Sequence, residues 1–131
     1  MKNSFVLLID GLVKEYGIPA FPDKNHEDEI YCFEFGNGIS IKIYQDNNRW
    51  VYFLAETGQA IELDEKIMTE MLFLNSFSFK KPFFSLGINS QKMTQLHTRV
   101  PLVEVNNIEM RGIFENILNV ATEIRKKFNL T

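Results

Sequence analysis

The fold is decided by residues 29–58, which read EIYCFEFGNGISIKIYQDNNRWVYFLAETG. Turn residues at 36–38 and 46–49 separate three apolar-rich segments, which span residues 29–35, 39–45 and 50–56. Alternating apolar residues interrupted by tight-turn residues predict an antiparallel three-stranded meander. A meander in water normally keeps one face polar, but these segments carry large apolar side chains on both faces. We therefore expect this chain's helices to cover one face and something else to cover the other.

Three helices are expected around the meander. The first spans residues 4–16 and ends at Gly17, and its apolar stripe consists of Phe5, Leu8, Ile9, Leu12, Val13 and Tyr16. Thr57-Gly58 is expected to end the third strand, after which Asp64 caps a second helix that runs to about Ser76. Asn106 caps the third helix, with Glu109 three residues later completing a capping box.

Two further strands are expected between the second and third helices. They span residues 83–88 and 95–103, with a turn at 89–92 between them and Pro101 near the end of the second. The element order is therefore α-β-β-β-α-β-β-α. Because the strands come in runs, this order predicts an α+β fold with a twisted antiparallel sheet. Residues 1–131 are expected to form a single domain, since domains most often contain roughly 100–150 residues.

Composition narrows the class of protein. The net charge of −3 and the pI of about 5.4 argue against non-specific nucleic-acid binding, which requires clustered lysine and arginine. A single cysteine, Cys32, excludes an internal disulfide and suits a reducing compartment. No run approaches the ~20 apolar residues that a membrane span needs, so we expect a cytoplasmic protein without membrane insertion. Twelve phenylalanines point to a large aromatic core or an apolar binding surface.

Catalytic and metal-binding patterns are missing from the sequence. The two histidines, His26 and His97, match no common zinc or calcium spacing, and there is no phosphate-binding glycine loop or nucleophile elbow. We therefore expect no enzyme activity, no metal and no cofactor. An alternative from another class is a small α+β ligand-binding protein or enzyme with an enclosed apolar pocket, for which His97, Tyr44 and Glu34 are the candidate polar groups. A third possibility is a structural dimer that has no client.

The apolar residues of the second helix cover more than one of its faces. A helix with so wide an apolar arc is buried on two sides, which in a small domain indicates a subunit interface. The residues expected at a homodimer interface are Ile67, Met68, Met71, Leu72 and Phe84.

From about Phe5 to Phe128 the chain resembles a class I type III secretion chaperone of the Tir-chaperone family. An ordered set of stretches carries this resemblance: LIDGLVKEYGIP at 8–19, CFEF at 32–35, ISI at 39–41, WVYFLA at 50–55, MLFLNSF at 71–77 and RVPL at 99–102. The stretch at 71–77 looks like the end of the family's second helix, where a Leu-Leu-x-x-Asn pattern is usual. The chain departs from the pattern at Leu74, where alanine is usual, and at Lys80-Lys81-Pro82.

The resemblance implies a cytoplasmic homodimer that binds the N-terminal segment of one or more secreted effectors in extended form. Such a chaperone keeps its effector soluble and competent for secretion, and it has no catalytic activity. The resemblance also implies that the dimer uses the second helix and fourth strand, and that an effector strand extends the sheet. The secretion-system ATPase is a further candidate partner. The residues expected to bind the effector in one groove are Phe5, Leu8, Ile9, Leu12, Tyr52, Leu54 and Val100.

Overall fold

A computed structural model describes residues 4–17, 30–60, 63–79 and 82–131. The described residues form three α-helices, five strands and one short 3₁₀ helix. These elements are α1 (Ser4–Tyr16), β1 (Tyr31–Glu34), β2 (Ser40–Gln45), β3 (Trp50–Gln59), α2 (Glu65–Phe73), β4 (Ser85–Ile88), β5 (Met93–Pro101), a 3₁₀ helix (Leu102–Glu104) and α3 (Asn107–Lys127). The predicted α+β class and element order are confirmed. His26 and the predicted first residue of the first strand, Glu29, lie outside the described residues.

The strands form one antiparallel sheet in the order β1-β2-β3-β5-β4. Strand β3 is central because it pairs with β2 on one side and with β5 on the other. The predicted meander of the first three strands is therefore confirmed, and β1 and β4 are the two edges of the sheet.

One face of the sheet carries the hydrophobic core. Cross-strand partners point to the same face, so Ile41, Ala55 and Leu96 lie side by side, and all three are buried. Helix α3 covers this face, with the Phe114 ring 5.0 Å from the Phe33 ring of β1. Helix α1 lies on the same side, where its Tyr16 ring packs 5.0 Å from Phe114. Both long helices are thus on one face.

The predicted helix starts are correct in detail. The Asp64 side chain accepts a hydrogen bond from the Ile67 backbone N–H at 2.8 Å, which caps α2. The Asn106 side chain accepts one from the Glu109 N–H at 2.9 Å, which caps α3. These caps satisfy backbone donors that have no partner within the helix.

The prediction that Thr57-Gly58 ends the third strand is wrong. Strand β3 continues to Gln59 through a bulge between Glu56 and Gly58. Three contacts from distant parts of the chain hold this bulge. The Thr57 hydroxyl donates to the Thr94 carbonyl at 3.1 Å, Arg125 Nη1 donates to the Thr57 carbonyl at 2.9 Å, and Gln59 exchanges two backbone hydrogen bonds with Thr131.

Several other boundaries also differ from the prediction. Helix α2 ends at Phe73 rather than near Ser76, and β4 begins at Ser85 rather than at residue 83. Strand β5 begins at Met93, two residues earlier than predicted, and ends at Pro101 rather than at residue 103. Pro101 ends the strand because proline has no N–H to donate to a ladder, and the chain turns into the 3₁₀ helix.

Candidate binding surfaces

A strip of large apolar side chains is exposed along α2, the segment after it and β4. We call this surface the α2–β4 strip, and its members are Met68, Leu72, Phe73, Leu74, Phe77, Phe79, Phe83 and Ile88. Leu72 is 71% exposed, Phe73 76% and Phe79 91%. The strip is partly ordered by its own contacts, since the Phe77 and Phe79 rings meet edge to face at 4.8 Å. Exposed apolar surface of this extent is typical of an interaction site.

The outer face of the sheet, opposite α1 and α3, is the second open surface. We define it by Lys42, Tyr44, Trp50, Tyr52, Leu54, His97 and Arg99, which alternate with the core residues along β2, β3 and β5. A depression of about 750 Å³ lies on it, between Tyr44, Tyr52, Leu54 and Phe83. No helix of the described residues covers this face, so its aromatic and aliphatic groups remain open to a partner.

Polar contacts fix the side chains at the rim of the outer face. Lys42 forms an ion pair with Glu56 at 2.5 Å, and the hydrogen bond from Lys42 to Glu56 is the main cause that raises the pKa of Lys42. The Arg99 guanidinium stacks 4.4 Å from the centre of the Trp50 ring, which is a cation–π geometry. These contacts hold a polar border around an apolar centre.

Asp46 anchors the aromatic side of the same face. The Tyr52 hydroxyl donates to Asp46 Oδ2 at 2.7 Å, and the Trp50 backbone N–H donates to Asp46 Oδ1 at 2.9 Å. The hydrogen bond from the Trp50 N–H, followed by that from Tyr52, lowers the pKa of Asp46, because each donor stabilises the carboxylate. The Tyr52 ring is thereby fixed beside the Tyr44 ring, at 6.0 Å between centres.

A second depression lies where β5 meets the first half of α3. This α3 groove has a volume of about 650 Å³ and is lined by Trp50, Phe83, Arg99, Val100, Pro101, Val105, Ile113 and others. Because Phe83 and Arg99 also line the depression on the outer face, the two depressions adjoin each other. Phe83 belongs to the α2–β4 strip as well, so all three surfaces meet at this side chain.

The sequence matches the model of the Tir chaperone protein (CesT) family over residues 7–125. The chain belongs to this family. The predicted resemblance is therefore confirmed. A search of curated protein sequences gave no match.

Solved structures show the same fold as this Tir-family chaperone. The ExsC–ExsE complex matches with a TM-score of 0.77 at 12% identity, over 98% of this chain and 97% of the other. The Yersinia pestis type III secretion chaperone SycH, in complex with a fragment of YscM2, matches with a TM-score of 0.72 at 10% identity, over 92% and 98%. The ExoT–SpcS complex from Pseudomonas aeruginosa matches with a TM-score of 0.68 at 15% identity, over 94% and 98%. At these identities the likeness establishes the fold alone.

In this Tir-family chaperone, the seven residues predicted to bind the effector do not line one groove. Phe5, Leu8, Ile9 and Leu12 of α1 are all buried in the core, and Leu8 and Leu12 also line a cleft of about 120 Å³ between α1 and α3. Tyr52 and Leu54 lie on the outer face, and Val100 lines the α3 groove on the helix-covered side. The sheet lies between the α1 residues and the outer-face pair, whereas the α3 groove adjoins the outer depression at Phe83 and Arg99. A role for them in effector binding stays a prediction.

The residues predicted for the dimer interface fall into two classes. Met68 and Leu72 belong to the exposed α2–β4 strip. Met71 is buried, and Ile67 and Phe84 are half-buried against the core. The wide apolar arc of α2 is explained by this division, because one side of the helix packs on its own subunit and the other faces outward.

Sequence reasoning missed the aromatic part of the strip. Phe73, Phe77, Phe79 and Phe83 are exposed, and none was predicted as an interface residue. The available signal was the density of phenylalanine at residues 73–84, within a segment that has no regular apolar period. Apolar residues without a period cannot be assigned to a buried or an exposed face from the sequence alone.

Of the polar groups of the enclosed-pocket alternative, Tyr44 and His97 line the same open depression on the outer face, whereas Glu34 does not. His97 and Glu34 are exposed and Tyr44 is half-buried, on the open outer side of the sheet. Within residues 4–17, 30–60, 63–79 and 82–131, no group of three or more His, Cys, Asp or Glu residues is placed to hold a metal ion. None of the described helices is long and apolar enough to cross a membrane.

Proposed function

We propose that this protein is a homodimeric type III secretion chaperone of the bacterial cytoplasm. It binds the N-terminal segment of one or more secreted effectors in extended form, and this keeps the effectors soluble and competent for secretion. Its role is binding rather than catalysis. Membership of the Tir chaperone family supports this proposal. The observation that carries it is the set of adjoining open surfaces that meet at Phe83.

The α2–β4 strip is the proposed dimer interface. Burial of apolar surface contributes about 25 cal/mol per Å². Packing two copies of this strip together would therefore stabilise the dimer in proportion to the apolar area that is buried. In a twofold dimer each side chain is buried twice, once in each subunit. Leu72 and Met68 provide the aliphatic part of the interface, and Phe73 provides an aromatic anchor.

The outer face and the α3 groove are the proposed client surfaces. Ordering a disordered segment costs several kcal/mol, typically about 2–5, so a client needs a long apolar footprint to offset that cost. The two adjoining depressions provide such a footprint, with Tyr52 and Leu54 in one and Val100 in the other. An extended segment presents alternate side chains to such a surface, and the shape of the depressions selects among them.

Helix α1 has a supporting role in this proposal. Its residues Phe5, Ile9 and Leu12 fix the core face of the sheet from inside. Leu8, with Ile108 of α3, offers a smaller apolar cleft at the surface that a client side chain can occupy. The secretion-system ATPase remains a further candidate partner, supported by family membership alone.

The test is co-purification of the tagged chain from its native cytosol, followed by identification of its partner. We expect a secreted protein that is held by its N-terminal segment. The matched pair of variants is Leu54→Asp, on the outer face, and Val103→Asp, on an exposed residue of the 3₁₀ helix. Leu54→Asp should lose the partner and Val103→Asp should retain it, with both still folded by circular dichroism. Recovery of a folded dimer with no partner would support the structural dimer instead.

A further inference from the structure

The depression on the outer face and the α3 groove meet at one end of the sheet. Trp50 begins β3 and Pro101 ends β5, and these two residues are partners in the ladder. The two depressions lie on either side of this end, and Phe83 and Arg99 line both of them. A client segment that fills both depressions therefore turns around the end of the sheet beside Arg99.

The Arg99 side chain is exposed, but its contacts hold it in one place. Its guanidinium lies over the Trp50 ring, 4.4 Å from the ring centre. Trp50 is fixed in turn, because its backbone N–H donates to Asp46 Oδ1 at 2.9 Å. A guanidinium that lies over an aromatic ring keeps N–H donors at its edge, and their planar arrangement matches the two oxygens of a carboxylate. Arg99 is thus positioned in advance to bind an acidic group, which lowers the entropy cost of binding.

The chain itself supplies no carboxylate to Arg99. Among residues 4–17, 30–60, 63–79 and 82–131, no aspartate or glutamate forms an ion pair with it. The Asp46 carboxylate interacts electrostatically with Arg99, but it already accepts hydrogen bonds from the Trp50 N–H and the Tyr52 hydroxyl. Lys42, the other cation of the outer depression with a fixed charge, differs from Arg99 because Glu56 neutralises it.

Apolar side chains lie on both sides of Arg99. In the outer depression, Leu54 is its diagonal neighbour, since Arg99 is paired with Tyr52, two residues before Leu54 on β3. In the α3 groove, Val100 and Ile113 contribute apolar surface. Diagonal neighbours in a sheet are about 7–8 Å apart, and alternate side chains of an extended segment are about 6–7 Å apart. A client can therefore place one side chain on Leu54 and its next alternate side chain at Arg99.

The α3 groove also carries acidic side chains. Glu104 and Glu109 line it, and both are exposed. Like charges repel, so these groups disfavour a client carboxylate inside the groove, whereas Arg99 favours one at the end of the sheet. The charges of the two depressions thus define one position for an acidic client residue.

We propose that Arg99 selects client segments in which an acidic residue lies between apolar residues, in the pattern apolar-x-acid-x-apolar. Arg99 is then a specificity-determining residue, because it binds the client carboxylate where the segment turns from the outer face into the α3 groove. This inference rests on the proposed function. Arg99, Trp50 and Leu54 lie outside the α2–β4 strip, so a dimer formed through that strip does not use them.

The test follows the indole N–H signal of Trp50, the one tryptophan of the chain, in NMR titrations of the whole protein. The probes are three peptides with capped ends, Ser-Leu-Thr-Xaa-Thr-Leu-Ser, in which Xaa is aspartate, asparagine or lysine. In the wild type the aspartate peptide should bind roughly fivefold more tightly than the asparagine peptide, the upper end expected of an exposed ion pair. The lysine peptide should bind most weakly. In Arg99→Glu this order should reverse.

Two further variants control for overall charge and for folding. Lys126→Glu makes the same change in net charge on an exposed residue that lines neither depression, so it should keep the wild-type order. Arg99→Gln should bind the aspartate and asparagine peptides equally, and it decides the question if Arg99→Glu does not fold. Sedimentation velocity should show that Arg99→Glu has the same oligomeric state as the wild type.

The outcomes separate this inference from the proposed function. The inference is overturned by equal binding of the aspartate and asparagine peptides to the wild type, by an unchanged order in Arg99→Glu, or by a Trp50 signal that no peptide shifts. Loss of the dimer in Arg99→Glu would also overturn it, since Arg99 would then belong to the subunit interface. A client found by co-purification would still stand in those cases. Conversely, a chain that retains no secreted partner fails the proposed function even if it discriminates among the peptides.

Discussion

Replacement of Leu72 by aspartate tests the proposed dimer without disturbing the core of the subunit. Leu72 is 71% exposed, so replacing its side chain should change the folding stability of the isolated subunit very little. Full burial of a leucine side chain contributes about 1.5–3 kcal/mol, and the twofold interface would bury two copies. Multiplying the burial energy of the two side chains by the exposed fraction gives a loss of about 2–4 kcal/mol in the free energy of dimerisation. Such a loss raises the dimer dissociation constant roughly 30- to 1,000-fold. Two buried carboxylates would add to this loss.

The assay is sedimentation velocity over a concentration series, with circular dichroism as the check on folding. Val103→Asp is the control, because Val103 is more exposed than Leu72 and lies outside the α2–β4 strip. Met71 is unsuitable for this purpose, although it was the natural choice from the sequence. It is buried, and truncating a buried methionine costs about 2–5 kcal/mol of subunit stability. A folded Leu72→Asp protein that dimerises as tightly as Val103→Asp would refute the interface.

Three further predictions concern stability and titration. Phe114→Ala should lower the free energy of unfolding by about 3–5 kcal/mol in a urea titration, because Phe114 is fully buried, whereas Phe128→Ala at a half-buried site should cost clearly less. Burial, followed by the charge of Glu115, raises the pKa of Tyr16 to about 12, so the tyrosinate absorbance should show a late phase that Tyr16→Phe removes. Its stabilising contribution is complete below about pH 10 and is lost as the pH rises towards 12. The pKa of Asp46 is lowered, so its contribution is present above the ordinary aspartate pKa and is lost as the pH falls through the lowered value. The free energy of unfolding of Asp46→Asn should therefore fall less steeply at acid pH than that of the wild type. The same steepness in both proteins would contradict the lowered pKa of Asp46.

The elements that the sequence predicted well are those whose signals are local. The caps at Asp64 and Asn106 and the turn residues between the first three strands act over a few positions, so short patterns were sufficient to place them. The bulge in β3 was missed because distant groups stabilise it. Arg125 bonds to Thr57, and Thr131 bonds to Gln59. These partners are distant in the sequence, and no residue near Gly58 predicts the contacts.

The candidate site was harder to predict because core and groove residues share one pattern. Phe5, Ile9 and Leu12 recur at helical spacing whether they face the sheet or a client, and the fold turns them inward. In α2 the adjacent residues Met71 and Leu72 are equally apolar, yet one is buried and the other is exposed. Only the position of α2 against the sheet separates them. The two hydrogen bonds between the Asn75 side chain and the Leu86 backbone likewise join residues that no local sequence pattern links.

The most direct test of the central claim is hydrogen exchange of the complex between this chaperone and its co-purified client, followed by mass spectrometry on both proteins. We expect added protection on the outer face around Tyr52 and Leu54, in the α3 groove near Val100, and in the cleft beside Leu8. The client's N-terminal segment should be protected only along the stretch that contacts these surfaces, as expected for a chain without its own core. A client segment protected as a cooperative globular unit, with those three surfaces unchanged, would contradict the account.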